Sequence, residues 1–395
     1  VINLRAWGED TETVKSLTCA YQSGVSRANM LSCAKHFPGH GNSEVDSHLD
    51  LPKIYNELSE LEKFELIPFK SLIDQGVNSV MIGHLLFPNI DPIYPASLSR
   101  KLVHDLLRIQ CKYDGLVVTD ALVMKAISDK YSSGDAAILA FAAGIDLLLM
   151  PQDIDEAIDS LTEAFYSGKF SLESLHKSRE RRKKQIELIT NNNELEKEYH
   201  NDTSVSNDFA FEVSKFSESI IKKIIYVRGN SIKKIDNNDI NLIQVDNFNQ
   251  VSSKFIPALS FPEGLGYKSL IIHPLGVSPW QSKNKRFLEL GHIGNGKILI
   301  QLFVRGKPFL GLDYQNYHWV EAIKNLEIKN RLSGVIVYGC KYLFDKIEKS
   351  IHSSTPLAYS PSQAEEAQKQ ILNRIFYSKI SNKKIDKNLS EEFTD

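Results

Sequence analysis

Three histidines, two glycines, a proline and a carboxylate fall within fourteen positions, in Lys35-His36-Phe37-Pro38-Gly39-His40-Gly41 followed by Asp46-Ser47-His48. Imidazole changes charge near neutral pH, so such a cluster suits the giving and taking of protons. Asp46 stands two residues before His48. A carboxylate bonded to an imidazole fixes its tautomer and raises its pKa, which makes a general acid/base that works near neutrality. Gly39 and Gly41 would let the loop swing over a bound substrate. Two other readings fit the same residues. His48 could be an exposed loop histidine, and His36, His40 and His48 could hold a metal, although spacings of four and eight on a Pro/Gly loop lack the regularity of a helical zinc pair. The density of titratable groups points to an enzyme, with this loop as part of its active site.

A second candidate is Asp120, which ends the apolar run Gly115-Leu116-Val117-Val118-Thr119. At the C-terminal end of a buried parallel strand its charge can attack, or stabilise, a developing cation. Capping of the following helix is the alternative. Asp114, at the other end of that run, reads as a turn residue. Arg5, Lys35 and His36 are strand-end groups able to donate hydrogen bonds to the hydroxyls of a neutral ligand, or simply to sit in salt bridges. His84 ends another apolar run and is either a further site residue or a structural histidine.

These groups need a scaffold that gathers strand ends. The runs Val1–Leu4, Leu31–His36, Ser79–Gly83, Gly115–Thr119 and Ile145–Met150 alternate with helical patterns, among them Leu98–Gln110 with Ser97 as N-cap and Asp135–Ala143 closed by Gly144. Apolar strands alternating with helices make a parallel sheet covered on both faces. Several successive strands each finish in a chemically useful side chain, the pattern of a (β/α)8 barrel with its site at the C-terminal face. Five strands are too few. At roughly thirty residues per βα unit, about ninety residues of barrel would precede Val1. The expected architecture is α/β: an N-terminally incomplete (β/α)8 TIM-like barrel over residues 1–190, a polar linker over 191–208, a C-terminal α/β sandwich domain over 209–380 and a tail over 381–395. In the second domain, strands are expected at Ile220–Val227, Ser269–His273, Lys297–Val304 and Gly334–Tyr338, and helices at Trp319–Lys329, Tyr342–Lys349 and Ser362–Tyr377.

Composition narrows the function classes. At 395 residues two domains are the prior. The chain carries 47 basic and 49 acidic residues, a balance that makes no case for nucleic acid or an anionic membrane as partner. The basic run Lys177–Lys184 is interleaved with acid and reads as a solvated helix face. No run reaches the ~20 apolar residues of a membrane span. Cys19, Cys33, Cys111 and Cys340 are scattered without CxxC spacing, which argues against a disulfide framework or a zinc site. A reducing, cytoplasmic location is therefore expected. Secretion or a lipid anchor stays open because a leader could have preceded Val1.

At these residues the chain resembles glycoside hydrolase family 3, and within it the β-N-acetylglucosaminidases of the NagZ type. The loop pattern from Lys35 to Gly41 followed by Asp46-Ser47-His48 carries the likeness. Met81-Ile82-Gly83-His84, Pro95-Ala96-Ser97-Leu98-Ser99, Asp114 to Met124, and Val1 to Arg5 extend it, and Ala358-Tyr359-Ser360 is similar to the second domain of two-domain members. The resemblance implies a retaining mechanism through a covalent glycosyl intermediate. Asp120 matches the nucleophile, His48 with Asp46 the general acid/base, and Arg5, Lys35 and His36 the residues that hold the N-acetylglucosamine ring. Most retaining glycosidases use two carboxylates, so a histidine in this role is a property of the branch. The implied substrates are muropeptides, in cell-wall recycling, with no metal or cofactor. The family places further sugar-binding residues, an Asp and an Arg among them, ahead of the position matching Arg5, and this chain has no segment for them. The rivals are another family-3 exo-glycosidase such as a β-glucosidase, an N-acetylglucosaminide phosphorylase, and an inactive sugar-binding fragment.

Overall fold

A computed structural model of the chain describes residues 6–43, 50–190, 203–232, 236–245, 256–272, 290, 293–304 and 317–377. They fall into two compact units, residues 1–201 and 202–395. Among the described residues no helix is long and apolar enough to cross a membrane.

The first unit runs α1 (Thr11–Arg27), β1 (Cys33–Phe37), α2 (Leu58–Lys63), α3 (Leu66–Asp74), β2 (Ser79–Ile82), α4 (Lys101–Gln110), β3 (Leu116–Thr119), α5 (Lys125–Ser128), α6 (Ser133–Ala143), α7 (Ile154–Tyr166) and α8 (Leu172–Thr190). Polar caps start several of these helices. The carboxylates of Asp10 and Asp153 and the hydroxyl of Ser132 accept the N–H groups of Thr13, Glu156 and Asp135, respectively, at 2.9–3.0 Å. Gly144, at φ 108°, ends α6 in the left-handed region where a Cβ is disfavoured.

The three strands form a parallel sheet in the order β1-β2-β3, with Phe37, Ile82 and Thr119 level with one another. Val80, Ile82 and Val117 are fully buried in a core that also takes in Leu66, Leu102, Leu107 and Ala140 from the helices. Cys33 and Lys35 of β1 are exposed. This is a sector of a βα barrel, as expected from the alternation.

Three local expectations are corrected. Residues 145–150 run parallel to β3 but form only one bridge, Val118 to Leu147. The reason lies in the neighbouring bonds: the N–H groups of Asp146 and Leu147 both donate to Val117 O, and Leu149 N–H goes to the Thr119 hydroxyl instead of a ladder carbonyl. The helix expected at Leu98–Gln110 begins at Lys101, after a single tight turn over Ala96–Leu98. Ser97 is not its cap. Its hydroxyl binds His84, and Ser99 Oγ instead receives Leu102 N–H. Finally, Arg181 in the basic run is not on a solvated face. It binds Asp114 at 2.8 Å and Asp146 at 3.3 Å, and so ties α8 to the lower end of the sheet.

The second unit runs α9 (Thr203–Ile224), β4 (Tyr226–Arg228), β5 (Ile240–Val245), α10 (Pro257–Gly264), β6 (Lys268–Ile272), β7 (Ile298–Val304), α11 (Tyr317–Ile328), β8 (Leu332–Gly339), α12 (Lys341–Glu348), β9 (Leu357–Ser360) and α13 (Glu365–Tyr377). Its sheet has the order β4-β9-β8-β7-β5-β6 and is parallel except for the edge strand β4. One face packs on Trp319, Ile323, Leu343 and Phe344 of α11 and α12. The other packs on Ile221, Leu259, Ile371 and Ile375 of α9, α10 and α13. An α/β sandwich results. Two expectations change here. The segment expected as strand Ile220–Val227 is mostly helix, and residues 203–208, expected as linker, are already the first turns of α9. Apolar residues at Val205, Phe209, Val213, Phe216, Ile220 and Ile224 recur at helical spacing, which explains both. The tail from 381 lies outside the described residues.

Candidate active site

Level strand ends place the residues that follow them at one height: Pro38 after β1, Gly83 after β2 and Asp120 after β3. The loop from β1 crosses to β2 through Gly83 N–H, which donates to Phe37 O at 3.0 Å. Asp120 N–H in turn donates to Ile82 O at 3.0 Å. Three backbones therefore converge where the candidate side chains emerge.

The Asp120 side chain is 20 % exposed. Its Oδ1 accepts the N–H of Ala121 at 2.9 Å, and its Oδ2 lies 3.6 Å from His36 Nε2. One carboxylate oxygen is thus held by the backbone and the other faces an imidazole. Such a carboxylate can act as a nucleophile or stabilise a cation, and His36, at the end of β1, faces it. Gly83 makes the approach of His36 feasible, since a Cβ there would meet His36 Cβ at 3.1 Å. Lys35, one residue earlier, is exposed.

His84 is fully buried, and both ring nitrogens are engaged. Nε2 lies 3.0 Å from Ala121 O, a group that can only accept, so Nε2 carries a proton. Nδ1 lies 2.7 Å from Ser97 Oγ. His84 therefore holds the peptide that follows Asp120.

Sequence reasoning raised His40 only as a possible metal ligand, and the structure gives it another setting. It is buried, its Nδ1 lies 2.7 Å from Ser43 Oγ, and its ring meets that of His36 edge to face at 5.6 Å between centroids. Ser43, three residues on, was the available signal. Glu65 was missed altogether. Its Cγ sits where a Cβ of Gly39 would come to 2.6 Å, and burial pushes its carboxyl above the usual range. Arg5, Asp46 and His48 lie outside the described residues. The metal reading needs His48 and so reaches beyond them too. Among the described residues no three His, Cys, Asp or Glu side chains group as metal ligands. A cleft of about 600 Å³ around Arg100, Lys112, Asp114 and Arg181 contains none of the predicted site residues.

Known proteins show the same organisation. Residues 1–184 match the glycosyl hydrolase family 3 N-terminal domain, and residues 231–377 match the bacterial glycosyl hydrolase family 3 C-terminal domain. A β-hexosaminidase of Chromobacterium violaceum is 39 % identical over 157 residues, 40 % of this chain and 44 % of that protein. One from Neisseria meningitidis serogroup B is 36 % identical over 165 residues, 42 % of this chain and 45 % of that protein. The chain thus spans less than half the length of these curated relatives. A family 3 β-N-acetylglucosaminidase of a Paenibacillus species superposes with a TM-score of 0.72 at 25 % identity, over 95 % of this chain and 70 % of that one. A β-glucoside phosphorylase shares the fold, with a TM-score of 0.69 at 17 % identity over 95 % of this chain and 69 % of that one.

Proposed function

Because the chain belongs to glycoside hydrolase family 3, we propose that it serves as a retaining β-N-acetylglucosaminidase acting on peptidoglycan fragments. The observation that carries this reading is Asp120, held at the end of β3 with one oxygen on Ala121 N–H and the other facing His36. The β-hexosaminidase relatives support the sugar, and the loop from Lys35 to His48 supports the muropeptide substrate.

In the first step, the Asp120 oxygen not held by Ala121 attacks the anomeric carbon. The bond to the leaving oxygen breaks, and that oxygen takes a proton from His48, which Asp46 orients. In the second step, water gives a proton back to His48 and attacks the same carbon, releasing the carboxylate. Two inversions give net retention. His36, Lys35 and Arg5 bind the ring hydroxyls.

The test is nitrophenol release from nitrophenyl β-N-acetylglucosaminide and the matching β-glucoside, with and without added phosphate. Turnover of the N-acetyl sugar, unaffected by phosphate, is expected. Phosphate dependence with formation of a sugar phosphate would instead make the protein a phosphorylase, and binding without turnover would make it a sugar-binding protein. Asp120→Asn should cost at least about 10³-fold in kcat while leaving the circular dichroism spectrum unchanged. Retained activity in that variant would end the nucleophile assignment.

A further inference from the structure

His40 belongs to no step of this mechanism, yet it is buried and hydrogen-bonded beside His36. It is 8 % exposed, in a loop whose flanking glycines give the chain freedom. The Ser43 hydroxyl donates to His40 O at 2.8 Å, so its one proton is committed there. Ser43 Oγ is then the acceptor for His40 Nδ1, 2.7 Å away, and Nδ1 carries a proton. The two bonds close a small ring that fixes both the backbone and the imidazole of His40. The fixed ring stands edge to face against His36, with an interplanar angle of 74°. Gly39 packs on Glu65 on the side chain's way into the loop, which leaves little room for the turn to shift. The same ring faces Asp120, whose Oδ2 lies 3.6 Å from its Nε2.

We propose that His40 is a positioning residue: anchored by Ser43, it buttresses the His36 ring and so sets the direction from which His36 meets Asp120. Aromatic rings at this separation and angle prefer the edge-to-face arrangement, so the contact selects one orientation of His36 among its rotamers. His36 itself is half-buried at a strand end, where its Cβ lies so close to Gly83 that a Cβ there would meet it at 3.1 Å. The His40 ring packed edge to face against it bears directly on the orientation of the imidazole plane. Misplacing a reacting group by about 1 Å costs on the order of 10²-fold in rate, so the constraint has kinetic consequences.

This inference rests on the glycosidase reading for its kinetic form but not for its structural one, and two measurements separate them. The first is a double-mutant cycle on kcat/KM. His40→Ala should lower kcat/KM by about 10- to 100-fold. In a His36→Ala background, the same change should cost less than about twofold, because a residue acting through another has nothing left to act on. His40→Phe, which keeps a ring against His36, should recover part of the loss, and Ser43→Ala should lose less than His40→Ala. Additive losses would overturn the proposal, since His40 would then act independently of His36. The second measurement is the side-chain ¹⁵N resonance of His36 in the resting protein, which needs no turnover. It should shift in both His40→Ala and Ser43→Ala. An unmoved His36 resonance in folded variants overturns the buttress whatever the enzyme's activity, whereas a moved resonance in an inert protein sustains it and indicts the functional reading alone.

Discussion

Removing the Asp146 carboxylate should destabilise the first unit far more than removing Arg181, its partner on α8. Asp146 is 2 % exposed and Arg108 only 8 %, so this pair is buried. Asp146 Oδ2 accepts Arg108 Nη2 at 2.6 Å and Val117 N–H at 2.9 Å, and Oδ1 accepts Arg181 Nη1 at 3.3 Å. Burial lowers the pKa of Arg108 and the Asp146 charge opposes that shift. Asp146→Ala strands a buried guanidinium and orphans a β3 amide, a combination that costs about 3–5 kcal/mol. Arg181→Ala removes a longer bond to Asp146 and a contact to Asp114, which is 88 % exposed. Screening by solvent leaves that contact worth at most ~1 kcal/mol. Two units make a single unfolding curve ambiguous, so the assay should report on the first unit alone. Hydrogen exchange of the peptide spanning β3, followed by mass spectrometry, does this. Equal losses in the two variants, or a loss below about 1 kcal/mol for Asp146→Ala, would refute the argument that burial decides.

Gly39→Ala should lower activity and stability together, because φ is 142° and the new Cβ would lie 2.6 Å from Glu65 Cγ; thermal melting and turnover read both. At alkaline pH the second unit should weaken through Tyr226 and Tyr267, each pushed up to about 12, mainly by burial. A phenol whose pKa is raised on folding stabilises fully below its unfolded value near 10, and that stability is lost as pH rises toward 12. Tyrosinate absorbance that climbs before any loss of ellipticity would contradict this linkage.

Much of this architecture is written locally in the chain. β3 is a fully buried, largely apolar run, as a strand inside a parallel sheet requires, whereas β1 alternates exposed Cys33 and Lys35 with buried Ala34 and Phe37. α6 carries both its cap, Ser132, and its stop, Gly144. The segments that escaped have ambiguous local signals. Residues 145–150 are as apolar as a strand, but Asp146 spends its carboxylate on Val117 N–H and two arginines, and that tertiary demand bends the backbone out of the ladder. Helix α9 begins among polar residues that look like linker, and its apolar spacing emerges only over several turns. For the site, Asp120 and His36 were visible because strand-end polar groups are conspicuous in an apolar run. Glu65 was not, since its partner is Gly39, twenty-six positions away, and a glycine advertises no contact. The role of His84 was undecided from sequence because only the fold brings Ser97 and Ala121 to its two nitrogens.

The two ends of β3 show why the same residue type takes opposite roles. At the lower end, Asp146 meets two guanidinium groups and an amide, so its charge is compensated on every side, and nothing in that surrounding rewards a change in charge. At the upper end, among the described residues, Asp120 accepts one backbone N–H and faces one imidazole at a distance too long for a full hydrogen bond. A carboxylate held in place yet incompletely compensated is suited to meeting positive charge as it develops on a substrate carbon, because the interaction it lacks at rest becomes available in the transition state. Were Asp120 as fully paired as Asp146, forming a bond to carbon would first require breaking those pairs. On the proposed mechanism, substitutions that add a donor beside Asp120 should slow the chemistry even as they stabilise the fold.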